Sequence, residues 1–268
     1  MTAHRLFDRR MAIVEMGKAG LAIVVFGAAA CSSESATAPT DSTPTSAGSS
    51  STTSAAAVTT TTAAAPTTVA QVGSSFHQID LGFVSAYILY RGAEAAVVDT
   101  GVAGSEGDIE AALVEIGLGW EAVGQVIVTH KHPDHMGSLE AIVALVPEAS
   151  VYAGAADIPA MEAAAAPSAV ADGDRVFDLE IIETPGHTAG HISVLDSIAG
   201  ILVAGDALVG VSGGVEGPDP AFSEDMTVAT ESVSKLAGFS YGTALFGHGP
   251  PLLEGASDAV NTLASSLG

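Results

Sequence analysis

The sequence predicts a mixed α/β (α+β) domain of helix-on-sheet layers over residues 76–268, behind an export signal at 1–31 and a tether at 32–73. Three observations carry that expectation. Short apolar runs rich in Val, Ile and Leu alternate with stretches of helical periodicity, the order expected where helices cover sheets. The composition changes near Phe76, from almost pure Ser, Thr, Ala, Pro and Gly to that of a globular protein. Four apolar runs also end in loops that carry His or Asp, and a strand feeding a polar loop holds side chains on a rigid edge.

The N-terminal stretch has the pattern of an export signal. Arg5, Arg9, Arg10 and Lys18 form a basic region, and Ala19 to Ala30 is a small, apolar run. That run is shorter than the ~20 residues of a membrane-spanning helix. Ala28-Ala29-Ala30 precede Cys31, the only cysteine, in a pattern similar to the cleavage site of a bacterial lipoprotein. Lipidation at Cys31 would anchor the protein to the outer face of the cell membrane; with an ordinary signal-peptidase site there it would be secreted. Arg9-Arg10-Met11-Ala12-Ile13 also fits a loose twin-arginine pattern, so both export routes stay open. Residues 32–73 hold only Glu34 and Asp41 as charges, too little apolar surface to offset ordering, and read as a disordered tether. As a coil it would reach on the order of 35 Å.

The chain carries a net charge of −23, and from Phe76 onward only Arg91, Lys131, Arg175 and Lys235 are basic. Such a field repels nucleic-acid phosphates and anionic lipid, leaving a small molecule as the expected partner and the lipid anchor as the only membrane contact. With Cys31 lipidated, the domain has no thiol for a disulfide or a nucleophile.

Within the domain, strands are expected near 76–80, 83–90 and 94–99, the last ending in Asp99-Thr100-Gly101. A helix near 105–117 places Ile109, Leu113 and Ile116 on one face. A strand at 125–129, a helix near 138–146 before Pro147, a strand at 150–153 and an alanine-rich helix near 155–165 complete a first half. The second half has strands near 175–183, 191–196, 200–205 and 243–247, with helices near 223–237 and 255–266.

The strand at 125–129 runs into His130-Lys131-His132-Pro133-Asp134-His135, followed by Gly137. Three further junctions deliver Thr184-Pro185-Gly186-His187-Thr188-Ala189-Gly190-His191, Gly205-Asp206 and Gly247-His248-Gly249. Neutral imidazole and carboxylate are ligands that suit zinc and neighbouring first-row metals. A histidine-rich surface turn is the bland alternative for the first loop, and the matching donors downstream weigh against it.

Together these motifs resemble the metallo-β-lactamase-fold hydrolase superfamily, in its glyoxalase II-like branch, over roughly residues 76–268. The resemblance implies a four-layer αβ/βα sandwich and a site for two Zn2+ ions. His130, His132 and His187 would hold the first ion, Asp134, His135 and His248 the second, and Asp206 would bridge them. It implies a hydrolase in which two metals about 3.5–4 Å apart activate a shared hydroxide and polarise the scissile group. Asp134 would be catalytic, orienting the hydroxide or taking its proton. An ester, lactone, thioester or related acyl substrate fits that chemistry. Asp206 argues against a dedicated β-lactamase, because one zinc β-lactamase subclass has cysteine there and another lacks the bridging aspartate. The scarcity of basic residues argues against a glutathione thioester. A persulfide dioxygenase with one Fe2+ is the alternative within the superfamily, and a non-catalytic metal-binding surface module lies outside the enzymes.

Asp99 resembles the family's buried aspartate that supports the metal loop by hydrogen bonds. His191 reads as structural support beside the site, with ligation the lesser option. Lys131 is expected to be solvated, and His77, Tyr87 and Trp120 to be packing residues. The run from Gly210 to Pro220 either lines the cleft or is an idle surface loop.

Overall fold

The computed structural model describes residues 73–161 and 167–268. The expected export signal, Cys31 and the tether up to residue 72 lie outside the described residues. The first half comprises β1 (Ser75–Asp80), β2 (Ser85–Arg91), β3 (Glu94–Val98), α1 (Glu106–Glu115), β4 (Val123–Val128), α2 (Pro133–Met136), α3 (Leu139–Leu145), β5 (Ser150–Gly154) and β6 (Ser168–Val170). The second comprises β7 (Arg175–Val176), β8 (Leu179–Glu183), β9 (Ile192–Asp196), β10 (Ile201–Val203), β11 (Val209–Val211), β12 (Gly214–Glu216), α4 (Met226–Leu236), β13 (Thr243–Leu245) and α5 (Ala256–Leu267).

Strands β1 to β6 form one six-stranded sheet in chain order, and a five-stranded sheet runs β13-β10-β9-β8-β7. The period-two alternation of apolar side chains explains why the two sheets and their helices stack in four layers. On β2, Ala86 and Ile88 face the cluster shared with Ile109 and Leu113 of α1 and Ile142 of α3. Their neighbours Tyr87 and Leu89 point the other way, onto Ile181, Val194 and Val203 of the second sheet. The second sheet repeats the pattern: Ile182, Leu195 and Leu202 face Val233 of α4 and Val260 of α5. Strands buried on both faces need near-continuous apolar sequence, as Val126-Ile127-Val128 shows. The architecture is the expected helix-sheet-sheet-helix sandwich.

Strand direction places the site. β3, β4 and β5 are mutually parallel, so the loops after Val98 and Val128 leave from one edge. β10 is parallel to β13, and β8 and β10 are each antiparallel to β9. The loops after β8, β10 and β13 therefore also leave together. Ile192 N–H donates to Thr129 O at 2.9 Å and Ser85 N–H to Gly247 O at 2.8 Å, linking the two sheets at this edge.

Several elements depart from expectation. The alanine-rich helix near 155–165 is absent from the described residues, where a turn leads into a short 3-10 turn at Ile158–Ala160; residues 162–166 lie outside them. Asp157 draws the chain into the site instead. The strand expected at 175–183 is a hairpin, because Phe177 and Asp178 adopt left-handed backbone at φ 53 and 56 and reverse the chain. Within the Gly210 to Pro220 run lies part of the β11–β12 hairpin. Helix α4 starts later than expected, at Met226, where the Asp225 side chain accepts from the amides of Thr227 and Val228.

Candidate metal centre

Six imidazoles and two carboxylates converge at this common edge. His130 follows β4 directly, and His132 precedes α2, on which Asp134 and His135 sit. His130 Nε2 and His187 Nε2 lie 3.0 and 2.9 Å from His132 Nδ1. Asp206 stands beside that trio, its Oδ2 3.3 Å from His187 Nε2 and 3.9 Å from His130 Nε2. On its other side, His135 Nε2 is 3.3 Å from Asp206 Oδ1, and His248 Nε2 is 3.2 Å from Asp206 Oδ2. Asp134 Oδ2 completes this side, 3.4 Å from His248 Nε2 and 3.9 Å from His135 Nε2. The donor atoms fall into three groups, each within 4.8 Å: His130-His132-His187, His130-His135-Asp206 and Asp134-His135-His248.

Hydrogen bonds at the far ring nitrogens turn four of these imidazoles toward the centre. His135 Nδ1–H donates to Asp99 Oδ2 at 2.8 Å, and His248 Nδ1–H to Phe83 O at 2.6 Å. Thr129 Oγ1 donates to Asp99 Oδ2 at 2.8 Å, so it can accept from His130 Nδ1–H at 3.0 Å. Ser223 Oγ donates to Asp219 O and faces His187 Nδ1 at 3.4 Å, the same arrangement in a looser form. Each of these rings is left with its Nε2 aimed inward.

Burial and charge then set the protonation of the group. Burial holds His130 well below the usual imidazole range and takes His187 down to about 4, so both stay neutral. Burial also pulls His135 down, but the carboxylates of Asp99 and Asp206 outweigh it and raise it to about 10. Hydrogen bonds to Asp134 and Asp206 raise His248 to about 10. Burial acts against Asp206 as a carboxylate, yet His135 and His248 hold it well below the carboxylate range. Asp134 is lowered chiefly by its hydrogen bond with His248.

These donors fit a metal. His135 Nε2 and Asp206 Oδ1 are buried with no hydrogen-bond partner, an arrangement a bound cation would relieve. The space is also kept clear: a Cβ on Gly247 would collide with the Asp206 carboxylate and the His135 ring. At Gly205, φ is +55 and a Cβ would meet His191 Nε2 and Thr129, so the turn into Asp206 requires glycine.

The structure brings together all seven expected donors, with Asp99 and His191 beside them. His191 has no nitrogen free for a metal. Its Nε2 accepts from Asp206 N–H at 3.0 Å, and its Nδ1–H donates to Thr184 Oγ1 at 2.8 Å. The relay continues through Ser193 Oγ to Ala204 O. Burial lowers His191 to about 3, which suits an acceptor for the Asp206 amide. Asp99 is buried at φ +62 and also accepts from Thr129 N–H at 2.7 Å. Lys131 corrects the expectation of a solvated side chain: its Nζ lies 2.7 Å from Glu224 and 3.7 Å from Asp157. Tyr87 does more than pack, since its hydroxyl donates to Phe246 O and accepts from Phe246 N–H, fixing the strand end before His248. His77 pairs with Glu115 at 3.4 Å, and Trp120 packs on the first core.

Sequence reasoning missed Asp157. Fully buried, it accepts from Lys131 N–H at 3.0 Å, Thr188 Oγ1 at 2.6 Å and Gly190 N–H at 2.8 Å. It therefore ties the loop of His130 and His132 to the loop of His187. Its only sequence sign was an acidic residue where an apolar helix face was expected.

The family model of the metallo-β-lactamase superfamily matches residues 79–248, from β1 to the last histidine of the site. The chain belongs to the metallo-β-lactamase superfamily. Among superfamily relatives, the chain is 28% identical over 229 residues to the probable metallo-hydrolase YflN of Bacillus subtilis, covering 68% of this chain and 86% of that one. It is 38% identical over 118 residues to a hydroxyacylglutathione hydrolase of Pseudomonas fluorescens, a match confined to 42% of this chain and 41% of the relative. Of solved structures, BJP-1, a subclass B3 metallo-β-lactamase of Bradyrhizobium japonicum, superposes with a TM-score of 0.57 at 21% identity, over 74% of this chain and 89% of that one. That likeness supports the superfamily fold. The converging donors His132, Asp134, His187, Asp206 and His248 form the floor of a cleft of about 550 Å³, whose walls include Phe83, Val209, Asp219 and Phe222. The run from Gly210 to Pro220 thus contributes to the cleft.

Proposed function

We propose that the domain is a dinuclear, zinc-dependent hydrolase of an ester, lactone, thioester or related acyl substrate. The observation that carries this reading is Asp206, set between two three-donor groups and reaching both within 3.3 Å. His130, His132 and His187 would hold one ion, and Asp134, His135 and His248 the other, with Asp206 shared. When bound, the metals would supply Lewis-acid polarisation of the acyl oxygen and a water made acidic enough to attack near neutral pH. The chain's own residues prepare the rest. Asp134 is only partly buried, lines the cleft and is held as a carboxylate, so its oxygen can orient a water by accepting a hydrogen bond. Phe83 O and Asp99 keep His248 and His135 in one tautomer and one orientation. The name of YflN agrees with a hydrolase.

Metal analysis of the purified protein, with turnover of an ester and lactone panel, tests the reading. Two zinc ions per chain are expected, and His132→Ala or Asp206→Ala should lose metal and at least ~100-fold of kcat/KM together while the fold survives. One iron per chain with oxygen consumption would move the protein to the dioxygenase class. Full turnover with an emptied site would sink the proposal. The same proposal includes export and lipid attachment at Cys31: Cys31→Ala should move the protein from the membrane fraction to the soluble one, and unchanged partitioning would refute the anchor.

A further inference from the structure

The walls of the cleft differ from its floor. Phe83 and Phe222 are 62% and 68% exposed, and both line the cleft with Val209 and Pro133, forming an apolar patch around it. The charge placed among them is acidic: Asp219 sits on the wall beside Phe222. The loop that carries both is a fixed wall. Glu224 N–H donates to His187 O at 3.1 Å, Asp225 N–H donates to Gly186 O at 2.9 Å, and Ala221 N–H donates to Asp219 Oδ1 at 2.8 Å. The Glu224 carboxylate ties the same loop to Lys131 and to the Ala189 amide.

Every basic side chain among the described residues is engaged elsewhere. Arg91 holds Phe177 O and Asp196, Arg175 holds Asp178 O and Glu180, Lys235 holds Asp172 and Glu183 O, and Lys131 holds Glu224 and Asp157. None of the four lines the cleft. A carboxylate or phosphate at the end of the substrate away from the metal centre would meet Asp219 and aromatic rings, with no Lys or Arg on the cleft wall to pair with it, in a chain of net charge −23. A cleft of about 550 Å³ suits a small molecule that buries most of its surface against these rings.

We infer that the site selects an uncharged ester or lactone whose apolar group seats between Phe83 and Phe222, and that Asp219 determines specificity by rejecting anionic substrates. This inference rests on the hydrolase reading and names its substrate class. Repulsion of a wrong substrate is as effective a source of selectivity as attraction of the right one.

The test uses the zinc-loaded full chain and two aryl esters of equal size, one ending in a neutral methylamide and the other in a carboxylate. The neutral ester should have the higher kcat/KM, by about fivefold for one charge contact at the solvent-exposed wall. Asp219→Lys should shrink that ratio by about tenfold or invert it. Glu110→Lys makes the same change in net charge on exposed α1, and should leave the ratio within about twofold. A wild-type ratio near one, or an equal response to both substitutions, overturns the inference. If neither ester is turned over, the hydrolase reading falls separately, and the corresponding non-hydrolysable amides are compared by calorimetric binding. Tighter binding of the anionic amide on Asp219→Lys, and not on Glu110→Lys, upholds charge selection; no change overturns it.

Discussion

At the residue scale, the centre poses a protonation problem that a metal would solve. Without metal, His135 and His248 are each raised to about 10 by the carboxylates around them, so both carry a proton at pH 7. His130 and His187 are lowered, so each is neutral with a single ring proton and has no second proton to release. A metal ligand must be the neutral imidazole, so loading the Asp134-His135-His248 group has to expel the two protons. Zinc titration at pH 7 in buffers of different ionisation enthalpy should therefore report about two protons released per chain. Since protons compete with metal, affinity at this group should rise with pH until about 10 and weaken toward acid. Release of none would mean that His135 and His248 are already neutral before loading or that neither binds zinc. His130, His132 and His187 need only slight adjustment, because the first and last already place Nε2 within 3.0 Å of His132 Nδ1.

At the element scale, the site depends on loops from both halves being held in register, and Asp157 is the residue that couples two of them. Asp157→Ala would leave Lys131 N–H, Thr188 Oγ1 and Gly190 N–H buried without their acceptor, at about 2–4 kcal/mol of stability. It should also weaken zinc binding by roughly 10–100-fold, because His132 and His187 lose their common brace. Denaturant unfolding and competition with a chelator measure the two effects; a stability loss with unchanged zinc affinity would show that the loops hold themselves. This coupling also marks the limit of what the sequence discloses. The ligands were legible because each ends an apolar run, and the four layers because Ala86, Tyr87, Ile88 and Leu89 alternate faces. Asp157 was not, since its partners lie 26 to 33 residues away and only the fold brings them close. The reversal at Phe177 and Asp178 escaped for a related reason. Asp178 is a turn former by type but Phe177 is not, and the left-handed backbone there is accompanied by Arg91 packing over the Phe177 ring and bonding its carbonyl. The helix expected near 155–165 followed helix propensity, which over the described residues 155–161 is overridden by the bonds that hold Asp157 in the site.

At the scale of the whole molecule, the two sheets are joined at the edge opposite the run of metal-binding loops by one buried carboxylate. Asp196, at the end of β9, accepts from Ser74 N–H at 2.6 Å just before β1, from Arg91 at 3.1 Å at the end of β2, and from the amides of Ile198 and Ala199 at 2.9 Å. Burial alone would raise its pKa, but these donors outweigh it and lower it to about 2. A carboxylate whose folded pKa lies below its unfolded value stabilises the fold above the unfolded pKa, and that contribution is lost as pH falls through the folded pKa. The window therefore runs from about pH 4 down to about 2. Allowing for solvent near the surface, the contribution is on the order of 1–2 kcal/mol. Asp196→Asn should remove it, lowering stability at pH 7 and flattening the acid limb of the stability curve. Because Asp196 touches no metal ligand, zinc content and turnover of the folded variant should stay as in the wild type. A variant with an unchanged acid limb would show that the hydrogen bonds at Ser74 and Arg91 are made equally well by a neutral amide. It would also place the junction of the two sheets in the apolar layer between Leu89 and Val194 rather than in this charge.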